Sequence, residues 1–269
     1  MQQQMTVLSF SPYDNPYDPK SNSLLAQASR NAGVQTEIVS FSRDKIPVIP
    51  SEKIWLRYDI RSGNDLKWVL EVAAALRNNG HKVFPSPKSI WVAEDKWETH
   101  LVLQKAGVPI PKTFRAKDLT ICGFPAILKT RVGWGGMGNK VVLQQTALQA
   151  LPPFKKNEYI CQSFIPHSRT LIIAIAGATE ICCIEDQGNT AFDDGRMAVI
   201  PSTGEALALS LQALQATGLV TGTVDLIESP EGIQVLEVNS APRITYPHLP
   251  GVDLANPMVK TVLNTWERE

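Results

Sequence analysis

Short apolar runs alternate with amphipathic stretches through the first third of the chain. Residues 5–10 (MTVLSF) form an apolar strand, followed by a polar Pro/Asp/Asn loop and a helical stretch over 23–32 closed by Gly33. Residues 36–41 (TEIVSF) and 54–58 (IWLRY) read as further strands. Asn64 then caps a helix whose positions Leu66, Val69, Leu70, Ala73 and Leu76 share one face up to Gly80, and a strand follows at 82–84. This alternation predicts a parallel sheet with helices on its faces.

The middle of the chain changes character. One helix is predicted over about residues 92–106, stopped by Gly107, Pro109 and Pro111. Residues 124–130 (FPAILKT) read as a buried strand, followed by a glycine-dense loop and a return strand at 141–143. A short helix near 146–151 and a strand at 159–164 complete a small α+β unit. Beyond it, strands at 171–176 and 180–185 flank a turn at Gly177, and a polar loop leads to a helix over 204–217 ending at Gly218. Strands 222–227 and 233–238 form a hairpin around 228–232. A last helix starts near Pro257, with Met258, Val259, Val262, Leu263 and Trp266 as its apolar stripe. There is no repeat and no long linker, so three interlocked units are expected over residues 1–90, 91–165 and 166–269.

Composition narrows the function classes. With 43% hydrophobic and 19% charged residues among 269, a substantial core is expected and disorder is not. Lys plus Arg and Asp plus Glu number 26 each, which argues against a nucleic-acid surface while allowing a local basic cleft. Cys122, Cys161, Cys182 and Cys183 form no CxxC pair and read as buried free thiols in a reducing cytoplasm. The N-terminus lacks a charged leader, and no run approaches the roughly 18 apolar residues that cross a bilayer. A soluble cytoplasmic protein without a membrane partner is expected.

Three features carry chemistry. Asp225 lies in TGTVDLI, and Glu237 with Asn239 in VLEVN. Glu237 and Asn239 share a strand face, and Asp225 on the partner strand can point the same way. Two carboxylates and an amide oxygen are hard ligands suited to Mg²⁺ held jointly with phosphates. A solvated charged edge hairpin would read similarly, although carboxylates set among apolar residues are costly without a counterion. The loop Gly133-Trp134-Gly135-Gly136-Met137-Gly138 follows the strand bearing Lys129. Its glycines allow backbone N–H groups to wrap phosphate oxygens; taken alone, a flexible loop is an equal reading. Lys129, inside an apolar strand, needs an anionic partner. Lys96, after Asp95 near the start of a helix, is either a phosphate contact or a solvated lysine.

Together these segments resemble the ATP-grasp superfamily, on the branch of ribosomal-protein-S6 glutamate ligase and lysine-biosynthesis ligase. AEDKWETHLVLQKAGVPIPKT, PAILKTRVGWGGMGNKVVL, YICQSFI, TVDLIESPEGIQVLEVNSAP and GVDLANPMVKTV match its motifs in order. The resemblance implies an α/β (α+β) fold: an N-terminal parallel-sheet pre-ATP-grasp domain (1–90), a small central lid domain (91–165) and a C-terminal antiparallel-sheet domain with the metal hairpin (166–269). It implies that Lys96 and Lys129 contact ATP phosphates and that Gly135, Gly136 and Gly138 close over them. Gln162, Ser163, Phe164 and Ile165 would line the adenine pocket, and Asp225, Glu237 and Asn239 would hold two Mg²⁺, with Mn²⁺ as a substitute.

The implied activity is carboxylate–amine ligation through an acyl phosphate, on small amino-acid or peptide substrates; a homo-oligomer is compatible with it. Departures fall in the half that stabilises the acyl phosphate. Ser163 stands for an acidic residue, Thr170-Leu171-Ile172 for Asp-x-Arg, and Asp186-Gln187 for an arginine position. Arg169, Arg196 and Arg243 are the candidates to supply the missing catalytic charge. Arg57 and Arg61 are expected to face a carboxylate, with Tyr13, Tyr17 and Trp91 framing a pocket or a core. A nucleotide-binding pseudoenzyme and a small-molecule kinase on the same fold are the alternatives.

Overall fold

The computed structural model describes residues 3–13, 15, 17–116, 122–133, 135, 136, 138–150, 155–167, 169–187 and 197–268. In the first sheet β1 (Gln4–Phe10), β2 (Gln35–Phe41), β3 (Lys53–Tyr58) and β4 (Lys82–Phe84) run parallel in the order β2-β1-β3-β4. Parallel neighbours need crossover connections, and α1 (Asp18–Asn31) and α2 (Gly63–Asn78) supply two of them. β3 is buried along its whole length, Arg57 included.

Two helix starts differ from the sequence expectation. α1 begins at Asp18 rather than Ser23, with a proline in its first turn. Its buried face includes Ser21, Asn22 and Ser29, and Asn22 donates to Ser9 Oγ at 2.9 Å. A polar inner face has no apolar period to read. α2 is capped by Ser62, whose Oγ accepts from the Asp65 N–H at 3.2 Å, not by Asn64.

The single helix expected over 92–106 is two, α3 (Pro87–Glu94) and α4 (Lys96–Lys105). The break is Asp95, at φ −99° and ψ 105°. Its side chain accepts from the Trp97 N–H at 3.0 Å and from Arg131 Nε at 3.1 Å, and the Lys96 N–H donates to the Arg131 carbonyl at 2.8 Å. One carboxylate therefore caps α4 and pins it to the end of the Lys129 strand.

β5 (Thr113–Arg115), β6 (Ala126–Thr130), β7 (Lys140–Val142) and β8 (Tyr159–Ser163) form a second, antiparallel sheet in the order β5-β8-β6-β7. The short helix expected near 146–151 is a 3₁₀ turn over Gln145–Ala150, and Leu151 lies outside the described residues. The third sheet, also antiparallel, runs β11 (Met197–Ile200), β10 (Thr179–Asp186), β9 (Arg169–Ala176), β12 (Thr221–Ser229), β13 (Gly232–Asn239). β5 and β11, three and four residues long, were not among the expected strands.

α5 (Gly204–Thr217) packs behind β12 and β13, and α6 (Ala255–Trp266) lies between the first and third sheets. The predicted stripe Met258, Val259, Val262, Leu263 and Trp266 is buried, in one core with Met5, Val7, Trp55 and Ala174. Cys122, Cys161 and Cys183 are buried, Cys182 is half-buried, and all four are free thiols. No described helix is long and apolar enough to cross a membrane.

Candidate active site

β12 and β13 place Asp225 directly opposite Glu237, and Thr223 opposite Asn239. Cross-strand partners share a face, so both carboxylates and the Asn239 amide line one cleft of about 520 Å³. Asn239 Nδ2 donates to Asp225 Oδ1 at 3.3 Å. On the far side of β12, Ile172 lies opposite Asp225, and Asp186 on β10 lies opposite Thr170. Thr170, Ile172 and Asp186 line the same cleft.

Between Asp225 and Leu226 the register slips, so that Leu226 faces Val235 and Leu236 is the extra residue. Such a bulge re-aims a side chain: Leu236 lines the cleft beside Glu237 instead of pointing away from it. The hairpin also closes tightly. A Cβ on Gly222 would stand 2.6 Å from the Asn239 carbonyl oxygen, a backbone atom that cannot step aside alone. Gly222→Ala is expected to cost about 1–3 kcal/mol of stability and to displace Asn239, read as a lower Tm.

Electrostatics mark the cleft. Burial, reinforced by the neighbouring Glu237 charge, pushes the Asp225 carboxyl up to about 7. Burial pushes the Lys129 ammonium down to about 8, with Glu237 and Asp225 pulling the other way. Lys96 Nζ pairs with Glu237 Oε1 at 3.1 Å and donates to the Gly133 carbonyl. Two lysines from α4 and β6 thus converge on the acidic hairpin. Beside them a pocket of about 20 Å³ lies between α4, β6, β8 and β13, bounded by Lys96, His100, Lys129, Gln162, Leu236 and Glu237. Leu236 and Glu237 belong to both spaces.

The glycine loop after β6 holds Gly133, Gly135, Gly136 and Gly138 at positive φ (122°, 68°, 68° and 79°), a conformation that side chains disfavour. Gly135, Gly136 and Asn139 line the cleft; Trp134 and Met137 lie outside the described residues. At the other end of the second sheet, Gln162 is buried and its Nε2 donates to Thr113 Oγ1 at 3.1 Å. The Ser163 and Phe164 N–H groups donate to the Lys112 and Pro125 carbonyls at 2.8 and 3.0 Å.

The three arginines expected to carry positive charge fare differently. Arg169 does not line the cleft: it sits one residue out of phase with Thr170 and Ile172, and its Nε pairs with Glu228 at 2.6 Å and Glu185 at 3.6 Å. Strand alternation turns it to the opposite face. Arg196 lies outside the described residues. Arg243 lines the cleft, its guanidinium 4.0 Å from the Tyr17 ring centre and 4.7 Å from that of Tyr246. Arg57, 3% exposed, also borders the cleft and donates through Nη2 to the Pro242 carbonyl at 2.8 Å. Arg61 instead pairs with Asp59 at 2.9 Å, Tyr13 donates to Asp65 at 2.8 Å, and Trp91 is exposed.

Known proteins are similar to this chain in sequence and in fold. The family described as the ATP-grasp domain matches residues 93–247, more than half of the chain. The chain belongs to the ATP-grasp family. A Haemophilus influenzae protein named a probable alpha-L-glutamate ligase is 30% identical over 184 residues, 61% of this chain and 60% of its own. Tetrahydromethanopterin:alpha-L-glutamate ligase of Methanocaldococcus jannaschii is 33% identical over 181 residues, 60% of this chain and 62% of its own. The chain therefore spans about three fifths of the length of these relatives. Among solved structures, a RimK domain ATP-grasp protein from Sphaerobacter thermophilus matches with a TM-score of 0.73 at 19% identity, covering 96% of this chain and 99% of that one. D-alanine–D-alanine ligase from Bacillus anthracis, complexed with ATP, matches at a TM-score of 0.73 and 14% identity, covering 100% and 99%. Both extend the ATP-grasp fold to the first sheet, which precedes the family match.

Proposed function

We propose that this ATP-grasp chain is a carboxylate–amine ligase that converts a carboxylate to an acyl phosphate with Mg-ATP and passes the acyl group to an amine. One observation carries the reading: Asp225, Glu237 and Asn239 line a cleft bordered by the glycine loop, and Lys96 and Lys129 line the adjoining pocket that shares Glu237 with it. An anionic ligand would relieve the buried lysine, and a cation would relieve the paired carboxylates.

The donor set fits a hard divalent cation, since all three ligating groups offer oxygen. Burial lifts the Asp225 carboxyl toward 7, and the neighbouring Glu237 charge adds to it. When bound, such ions neutralise phosphate charge and orient the transferred group. The protein does the rest by position. Lys96 and Lys129 hold the phosphate oxygens, and Gly135 and Gly136 present backbone N–H groups above them. The purine lies in the slot beside Leu236. With the Ser163 and Phe164 N–H groups already bonded within the fold, the hinge reads it through its carbonyls and the Ile165 N–H. Arg243, held between two tyrosines, is the arginine placed to meet substrate or acyl phosphate in the open half of the cleft.

Residues 1–90 then present the acceptor, 91–165 close over the nucleotide and 166–269 form the base. The glutamate ligases among its relatives support an amino acid or peptide as substrate. Cation binding should track the Asp225 proton. At pH 6 most of that carboxyl is protonated, so Mg²⁺ affinity measured by calorimetry should be about tenfold weaker than at pH 8; equal affinity at both would remove Asp225 from the site. The proposed activity is tested by following ADP release over panels of amino acids and small peptides. Release that needs both a carboxylate and an amine supports it, and a phosphorylated product or tight ATP binding without turnover refutes it.

A further inference from the structure

A carboxylate that the nucleotide and cation assignments leave unused stands in the same cleft. Glu94, the last residue of α3, lines it two positions before Lys96. Its Oε1 accepts from Ser240 Oγ at 2.6 Å, and Ser240 Oγ lies 2.6 Å from the Tyr58 hydroxyl. Since the serine has one proton and gives it to Glu94, Tyr58 is the donor in the second bond, and both hydroxyls point their protons toward the carboxylate. Glu94 Oε2 has no hydrogen-bond partner among the described residues. The relay joins the end of β3, the residue after the metal hairpin and the turn between α3 and α4, and Ser240 holds the carboxylate through Oε1.

We propose that Glu94 is the general base that deprotonates the attacking amine. The proposal rests on the ligase reading above. Amines are protonated at neutral pH, and an ammonium has no lone pair with which to attack. One N–H proton passes to Glu94 Oε2. The freed lone pair attacks the carbonyl carbon of the acyl phosphate, a C–N bond forms, and the C–O bond to phosphate breaks with its electron pair leaving on phosphate. The second nitrogen proton leaves with that phosphate.

Of the other carboxylates that line the cleft, Asp186 is itself engaged and four more are committed elsewhere. Asp225 and Glu237 belong to the cation, Asp59 pairs with Arg61, and Asp18 accepts from Ser11 at 2.7 Å. Facing Glu94 are Arg57 and Tyr58 from β3, Lys96 from α4 and Glu237 from β13. Burial, with Glu237 adding to it against the pull of Ser240, Lys96 and Arg57, lifts the Glu94 carboxyl to about 7.

Hydroxylamine supplies the test, because it is neutral at neutral pH and traps an acyl phosphate without needing a base. Across the amino-acid panel, Glu94→Gln should lower amide formation about a hundredfold or more while hydroxamate formation stays within about twofold of wild type. Equal loss of both products would make Glu94 structural, and unchanged amide formation would exclude it; either overturns the proposal. Should Glu94→Gln fail to fold, Ser240→Ala gives the second reading. Losing the bond that holds the carboxylate ionised should move the acid limb of amide formation to higher pH and leave hydroxamate formation unmoved; an unmoved acid limb overturns the proposal. A wild-type protein that yields neither product from any carboxylate would overturn the ligase reading itself, and this inference with it.

Discussion

Glu237→Gln is expected to lower ADP release by at least about a thousandfold, roughly 4 kcal/mol of barrier, while far-ultraviolet circular dichroism and Tm stay near wild type. The loss is large because one side chain has two duties. Its carboxylate supplies a full negative charge to the cation site, and it is the group that draws Lys96 Nζ to 3.1 Å across the cleft. Glutamine keeps the shape and one oxygen but neither charge. The fold should survive because Glu237 faces the cleft, whereas its strand neighbours Val235 and Val238 are buried in the core behind it. Wild-type turnover in this variant would sink the metal assignment.

Lys129→Met separates binding from stability. The lysine lies within β6 among Leu128 and Ile160, and burial holds its ammonium down near 8. Nucleotide affinity should fall on the order of a hundredfold, about 2.7 kcal/mol, because a buried cation facing the phosphates is removed. Stability should hold or rise, since methionine fills similar space without a charge to desolvate. The sign can be followed through pH. A lysine at about 8 folded and about 10.4 unfolded is released first by the folded state, so the wild type should gain stability as pH climbs through that window. The methionine variant should lack the gain. A variant that binds nucleotide normally would show that Lys129 plays no part in phosphate recognition.

What was legible in the sequence followed from local alternation. Asp225, Glu237 and Asn239 were readable because carboxylates set into apolar strands announce both the strand and the unusual face. The α6 stripe was readable because five large apolar residues recur at helical spacing. The misses have a common cause, which is partners distant in the chain. Asp95 breaks a helix that its neighbours would continue, and the reason is Arg131, thirty-six positions on. Leu236 enters the site through a bulge, a property of two strands together that neither shows alone. Nearness in sequence suggests Arg169, yet strand phase turns it away and Glu228 and Glu185 hold it there. Glu94, Ser240 and Tyr58 come from three separate segments, and only the fold brings them together.

The charge distribution in the cleft also changes the mechanism expected of it. Where the resemblance anticipated arginines near the transferred phosphate, Thr170, Ile172 and Asp186 occupy that wall. Positive charge borders the cleft instead at Arg57 and Arg243, and Lys96 and Lys129 line the adjoining pocket. Substrate carboxylates are thus expected to enter between the first sheet and the hairpin, where Arg57 and Arg243 border the open end.

In the proposed reaction, phosphate passes from ATP to a carboxylate oxygen. Once the substrate panel has identified a productive pair, the carboxylate should be supplied with both oxygens labelled by a heavy isotope and the released phosphate analysed by mass spectrometry. One labelled oxygen is expected in each phosphate, because the acyl phosphate breaks at its carbonyl carbon. Unlabelled phosphate from a reaction that still joins carboxylate to amine would contradict it.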